Sequence, residues 1–249
     1  MPTTLPAKPH LFGLLAGFFL AAGLCFTSVL VTRTWVHLKE SQIIQVTGSA
    51  RKNIRSDLVV WTAILQVEAK TLPEAYAKLK GDSEKMRTFL TSRGQLKFEI
   101  APVQVRDLTR RKKDELETEA VPERVGYQLL QPVQLTSADV DGIPRLAADA
   151  LSLMAEDVVL QTSGIQFIYT KAGQAKLEMM AEATEDARKR AEEIARQGGR
   201  QVRELRSAKV GVVQINPQHS TATSWEGNND QSSLEKTMTA TISAEFSLK

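Results

Sequence analysis

Residues 11–31 read LFGLLAGFFLAAGLCFTSVLV, an apolar run without a charge. At about 1.5 Å of rise per residue, a helix over this run crosses the roughly 30 Å hydrocarbon core of a bilayer. A secretory signal has a shorter apolar region, about 7–15 residues, followed by a small-x-small cleavage site. Val29, Leu30, Val31, Thr32 and Arg33 supply no such site, and the bulky Leu24 before Cys25 spoils a lipoprotein box. The pattern therefore reads as an uncleaved transmembrane signal-anchor over 11–32, after a short tail (1–10) and before a juxtamembrane linker (33–41). A cleaved signal is the alternative. Gly13, Gly17 and Ala21 recur at i, i+4, i+8, a stripe on which two anchors can pack closely, although Gly and Ala are common in membrane helices generally.

From residue 42 onward the hydrophobic period switches between two and 3.6. A short β-like run over 42–47 ends at Gly48. Within 58–70, Trp61, Ala63, Leu65, Val67 and Ala69 alternate with polar residues, the mark of a half-buried strand. Thr71-Leu-Pro-Glu74 predicts a capping box, and Leu72, Tyr76, Leu79, Met86 and Leu90 continue at helical spacing until Gly94. Leu96, Phe98 and Ile100 alternate into Pro102, after which Val103 and Val105 take the opposite parity, predicting a bulge or an edge strand. The charge-dense stretch 106–122 predicts a solvated loop rather than a phosphate site.

Val125, Tyr127, Leu129, Val133 and Leu135 alternate as a long strand. A helix is predicted to begin near Asp141, burying Val140, Ile143, Ala147, Ala150 and Met154. An interrupted extended stretch covers 158–170, followed by the clearest helix, 171–197, which Gly198-Gly199 stop. That helix carries the acid-before-base pairs Glu185/Lys189, Asp186/Arg190 and Glu192/Arg196. Its apolar face is thin: Ala172, Ala175, Met179, Ala183, Ala187, Ala191 and Ile194. Ala183, Ala187 and Ala191 form a candidate assembly face. Residues 201–215 are extended, 216–233 read as a long mobile loop, and 237–248 alternate without a fault. The sum is an α+β fold: an antiparallel-rich mixed sheet or sheets with about three helices packed on it, behind one N-terminal transmembrane helix.

Composition narrows the function more than it defines it. Lys+Arg number 32 against 29 Asp+Glu, a net charge of +3 that is too balanced for a dedicated nucleic-acid binder. One Cys and three His exclude a disulfide framework and a Cys/His zinc cluster. No Gly-x-Ser-x-Gly elbow, Walker loop, dinucleotide fingerprint or His-Glu-x-x-His pair occurs. No catalytic, cofactor-binding or metal residue is therefore assigned. Trp225 on a polar loop is a candidate partner contact, since exposed Trp is favoured at binding hot spots, with local packing as the alternative. Lys8 flanks one side of the apolar run and Arg33, Lys39, Arg51, Lys52 and Arg55 the other. Counted naively, this places the large domain in the cytoplasm, although the rule weakens inside a folded domain.

Two segments carry a resemblance. Val46-Thr-Gly-Ser-Ala50, a strand and then Thr71-Leu-Pro-Glu-Ala-Tyr76 opening a helix resemble the start of the SIMPL-domain family. The helix Lys176-x-Glu-x-x-Ala-Glu-Ala-x-x-Asp-Ala-Arg-Lys-Arg-Ala-Glu-Glu-Ile-Ala195, closed by Gly199, is similar to that family's most recognisable segment. The resemblance covers residues 42–249. The chain departs from the pattern near Glu156-Asp157, where members often carry a Gly, and at Ile165, where a Pro often precedes the aromatic pair. The resemblance implies a YggE-like envelope protein: a single-pass bacterial inner-membrane protein with its large domain in the periplasm, against the naive charge count. It further implies a non-catalytic role through homo-oligomeric assembly or an unknown protein partner, in envelope maintenance or oxidative-stress defence. The alternative is an envelope ligand-binding protein or a carboxylate-dependent hydrolase, which requires acids converging in an apolar cleft.

Overall fold

The computed structural model describes residues 11–39, 43–94, 96–112 and 121–249. The fold is α+β, with two sheets. Helix α1 (Leu11–Lys39) is followed by strands β1 (Ile43–Arg55) and β2 (Leu58–Ala69) and helix α2 (Leu72–Ser92). Strands β3 (Phe98–Ile100), β4 (Gln104–Lys112) and β5 (Val121–Ser137) come next. Helix α3 (Gly142–Asp149) runs into a 3-10 helix (Ala150–Glu156). The chain then forms β6 (Leu160–Ile168), α4 (Ala172–Gln197), β7 (Val202–Val210), β8 (Gln214–Pro217) and β9 (Glu235–Leu248). One sheet has the order β1-β9-β7 with β8 also on β9; the other is β3-β5-β2-β6 with β4 also on β5. In them β2 pairs antiparallel with β5 and β6, β3 and β4 with β5, and β7 and β8 with β9.

The chain forms two compact units. The first comprises Met1–Gly48, Thr184–Val210 and Ile242–Lys249. It holds α1, whose span Gly13–Val36 is long and apolar enough to cross a membrane and has none of its surface buried. Thr27 and Thr34 turn their hydroxyls onto the carbonyls of Gly23 and Leu30, 2.7 and 2.9 Å away, so neither hydroxyl is left as a free donor on this apolar helix. The helix continues through Lys39, so residues 33–39 of the expected linker are helical; residues 1–10 and 40–42 lie outside the described residues. In the same unit β7 pairs with the end of β9, from Val202↔Leu248 to Val210↔Ile242, with two register shifts.

The second unit comprises Ser49–Ala183 and Gly211–Thr241 and contains the main hydrophobic core. The inward parity of β2 (Val59, Trp61, Ala63, Leu65, Val67) meets Leu129, Val133 and Leu135 of β5. Helix α2 lies over both strands and contributes Ala75, Leu79, Met86 and Leu90. Each fully buried Leu or Met contributes about 1.5–3 kcal/mol by removal from water.

Several elements differ from the sequence reading, each for a physical reason. β1 runs on past Gly48 to Arg55, because Gly48 and Ala50 hold inward positions with side chains too small to advertise the period. Thr71 caps α2 without a side-chain hydrogen bond; Pro73 in the first turn has no N–H to satisfy. The predicted loop from 106 is strand as far as Lys112, paired with β5 from Arg106↔Gln128 to Lys112↔Val121; residues 113–120 lie outside the described residues. Met154 is 53% exposed while Leu153 is buried. After Asp149 the helix tightens to 3-10, and its three-residue turn carries the buried position from Ala150 to Leu153. In α4, Ile194 is exposed and Ala195 buried; Arg196 pairs with Glu193 at 2.7 Å and Glu192 with Arg188 at 2.8 Å, replacing the expected Glu192/Arg196 pair.

Candidate functional site

The segment between β8 and β9 gathers the molecule's buried polar chemistry. Gln214 and Asn216 point the same way along β8, and both are buried. The Gln214 side-chain oxygen accepts from the N–H groups of Ser224 (3.3 Å) and Asn228 (2.9 Å), and its amide donates to the Ser224 carbonyl at 2.6 Å. Asn216 donates to the Ala222 carbonyl at 2.7 Å and accepts from the Asn228 amide at 2.9 Å. Ile215 exchanges backbone hydrogen bonds with Asn228 and Asp230. Gly227 has φ 92°, and a Cβ there would meet Val212 Cγ1 at 2.6 Å, so this turn admits only glycine. The loop expected to be mobile is therefore pinned from beneath by two buried amides. It presents Trp225 at 86% exposure, which leaves its indole without local packing.

On one side of this loop lies Lys236, 1% exposed. Its Nζ donates to the carbonyls of Phe167 (2.7 Å) and Asp230, with the Asp230 carboxylate 3.9 Å away. Burial lowers the Lys236 pKa, and the attraction of Asp230 only partly opposes it. Burial pushes the Asp230 carboxyl up, but hydrogen bonds from Ser232 and Ser233 and the Lys236 charge outweigh it, leaving the acid below its ordinary value. A cavity of about 190 Å³ adjoins the pair, lined in part by Phe167, Tyr169, Lys176 and Ile215. A lysine with a lowered pKa has the electronic character of a nucleophile. Here the ammonium is spent on two carbonyls and closed off from solvent, so it acts as a clamp between β6 and the loop.

On the other side, Thr237 donates its hydroxyl to Asn53 Oδ1 at 3.0 Å. A groove of about 220 Å³ is lined by Arg51, Asn53, Gln218, His219 and Thr237. His219 has φ 69°, a left-handed conformation uncommon outside glycine. The neighbouring cations of β1 are neutralised: Arg55 by Asp141 (2.6 Å) and Glu235 (3.1 Å), and Lys52 by Glu178 (2.9 Å). Among the described residues, Arg51 has no such acidic partner.

Among the described residues, none of the three cavities is lined by more than one carboxylate. Asp82 is 5% exposed and its Oδ2 lacks a hydrogen bond. Burial raises its pKa against the pull of Lys78 and Lys85, while Asp157 adds to the rise. It lines none of the three cavities described in this molecule. Asp157, its nearest acidic influence, is exposed and paired with Lys78 at 3.5 Å. Among the described residues no group of three His, Cys, Asp or Glu is placed to hold a metal.

Of the residues singled out from sequence, Gly13, Gly17 and Ala21 lie on the exposed surface of α1, with open space around both glycines. Ala183, Ala187 and Ala191 have 0% exposure. That stripe is already packed within the chain, which corrects the expectation of an assembly face open to a second copy. Sequence reasoning missed Lys236, although parity held the signal: two residues before inward-facing Met238, it occupies the buried side of β9. Gln214, Asn216 and Arg51 gave no signal of their own.

No curated protein matches this chain. A match to a domain family runs from within β1 to within β9, enclosing both sheets and the pinned loop. Residues 44–246 match the family described as SIMPL, a protein of unknown function (DUF541), and the chain belongs to that family.

Proposed function

We propose that this SIMPL-family protein is a non-catalytic binding module, tethered by α1 to the bacterial inner membrane with its large domain in the periplasm. It acts through assembly or a protein partner in envelope maintenance or oxidative-stress defence. The observation carrying this reading is Trp225, almost fully exposed on a loop held by the buried side chains of Gln214 and Asn216. A rigid aromatic anchor loses little conformational freedom on binding, which is what a hot spot requires. The burial of Ala183, Ala187 and Ala191 moves the candidate contacts to Trp225 and to the Gly13, Gly17 and Ala21 stripe.

The test places a photo-crosslinking residue at position 225 of the full-length chain in cells, with an alkaline-phosphatase fusion after Lys249 reporting topology. The expected result is an active fusion and one discrete cross-linked species, at twice the chain mass for self-assembly or at another defined mass for a partner. A silent fusion, or cross-linking at position 225 no stronger than at exposed Glu99, overturns the reading. A deletion strain as peroxide-tolerant as its parent removes the stress role.

A further inference from the structure

We propose that the groove formed by Arg51, Asn53, Gln218, His219 and Thr237 is a binding site for a phosphoryl group. The inference is independent of Trp225 and of the side of the membrane on which the domain lies. Every residue lining the groove carries a hydrogen-bond donor, and none is a carboxylate. The space, about 220 Å³, is several times the roughly 30 Å³ occupied by a water molecule, so it admits a tetrahedral oxyanion and part of its substituent.

The donors are arranged rather than merely present. Thr237 is buried, and its hydroxyl occupies Asn53 Oδ1, which leaves the Asn53 amide as the end of that side chain free to donate. Gln218 and His219 are held at the start of the pinned loop by the Gln218 N–H to the Glu235 carbonyl (3.2 Å) and the Ser220 N–H to the Pro217 carbonyl (3.0 Å). His219 keeps a left-handed backbone that Gly or Asn would adopt more easily. A sparsely populated conformation retained at a concave polar site points to a role for the side chain it carries.

Charge selects the ligand. Arg55 and Lys52 flank Arg51 in β1 and both are satisfied by acids, so among the described residues the guanidinium of this strand that has no acidic partner faces the groove. A guanidinium offers a planar fork that matches two oxygens of a phosphate, and the amides and imidazole supply donors from other directions. The Lys236 cavity differs in kind, because a carboxylate, Asp230, lines it beside its buried cation.

Full-length protein in phosphatidylcholine nanodiscs is titrated with inorganic phosphate and with glycerol phosphate by calorimetry. A second arm replaces the soluble probes with phosphatidic acid in the discs and follows the His219 ring resonances. Saturable binding in either arm is expected. A response to the soluble probes alone identifies a soluble phosphate source, and a response to phosphatidic acid alone a lipid headgroup. Arg51→Gln should weaken binding at least tenfold, His219→Gly by a smaller factor, and Lys80→Gln, an equal charge change on an exposed face of α2, not at all. Arg51 is exposed, so its variant should keep the parent thermal transition, checked by circular dichroism. No saturation in either arm, or equal weakening by Arg51→Gln and Lys80→Gln, overturns the proposal.

Discussion

Two long helices carry a stripe of small residues at the same spacing, and the molecule uses them in opposite ways. In α1, Gly13, Gly17 and Ala21 face open surroundings on a helix apolar all round. In α4, Ala183, Ala187 and Ala191 have lost all their exposed surface, and the rest of the helix carries ion pairs such as Lys189–Glu185 and Arg190–Asp186. Small residues at i, i+4, i+8 announce that something can approach the backbone closely. They do not announce what. The flanking residues decide: charges confine α4 to one buried face, whereas α1 has no polar face over a span long and apolar enough to cross a membrane.

The sharpest way to break this contrast is Ala187→Leu. Three extra carbons at a site with no free surface should cost about 3 kcal/mol, read as a lowered urea midpoint of the full-length protein in detergent. A loss under about 0.5 kcal/mol, the size of an ordinary surface substitution, would show the α4 stripe to be loosely packed.

Next in size is Lys236→Met, which extends the comparison to a buried cation. It keeps the apolar stem but strands the carbonyls of Phe167 and Asp230, and should cost about 2 kcal/mol. An unchanged midpoint would mean that the clamp between β6 and the loop contributes nothing.

Asp82→Asn should act in the other direction. Because burial raises the folded pKa of Asp82 above the ordinary 3.8, the folded state holds this proton to higher pH than the unfolded chain. Stability then falls as pH rises from the unfolded value through the folded pKa. The variant should gain about 1 kcal/mol at pH 7, a gain that vanishes at pH 3. Asp57 provides the opposite sign: burial pushes it up, but hydrogen bonds from Thr170 outweigh that and hold it below 3.8. Its contribution is present above that value and is lost as pH falls through the folded pKa, so stability curves of Asp57→Asn and Asp82→Asn should diverge toward neutral pH. Parallel curves would contradict both assignments.

The smallest effect belongs to Gly17→Leu. With nothing near Gly17 to displace, the urea midpoint should stay within about 0.5 kcal/mol of the parent. If the stripe mediates self-association, resonance energy transfer between labelled chains in a bilayer should fall in the same variant.

The fold was largely legible because period and punctuation are local properties. The alternation of Met238, Ala240, Ile242, Ala244 and Phe246 places their parity inside β9 without reference to any partner. Glu185/Lys189 and Asp186/Arg190 needed only one helical turn to find each other. What escaped depended on context or on distance. Met154 exchanges places with Leu153 through a change of helix type, and β4 becomes strand because β5 supplies a partner for its charged residues. The groove at Arg51 was invisible, because its character comes from Asp141 and Glu235 removing the neighbouring charge of Arg55.

By itself, then, the sequence determined one helix apolar enough for a membrane, an α+β domain behind it, and a loop bearing an exposed-type Trp. These follow from residue-by-residue preference for water, hydrocarbon, helix and strand. Tertiary structure alone decided that the α4 stripe is closed, that the loop is pinned, and that one guanidinium of β1 has no acidic partner among the described residues. Each of these depends on residues far apart in the chain, such as Gln214 with Asn228 for the loop or Arg55 with Asp141 for the guanidinium. The gain from such a pair exists only after the fold has brought its two halves within hydrogen-bond reach.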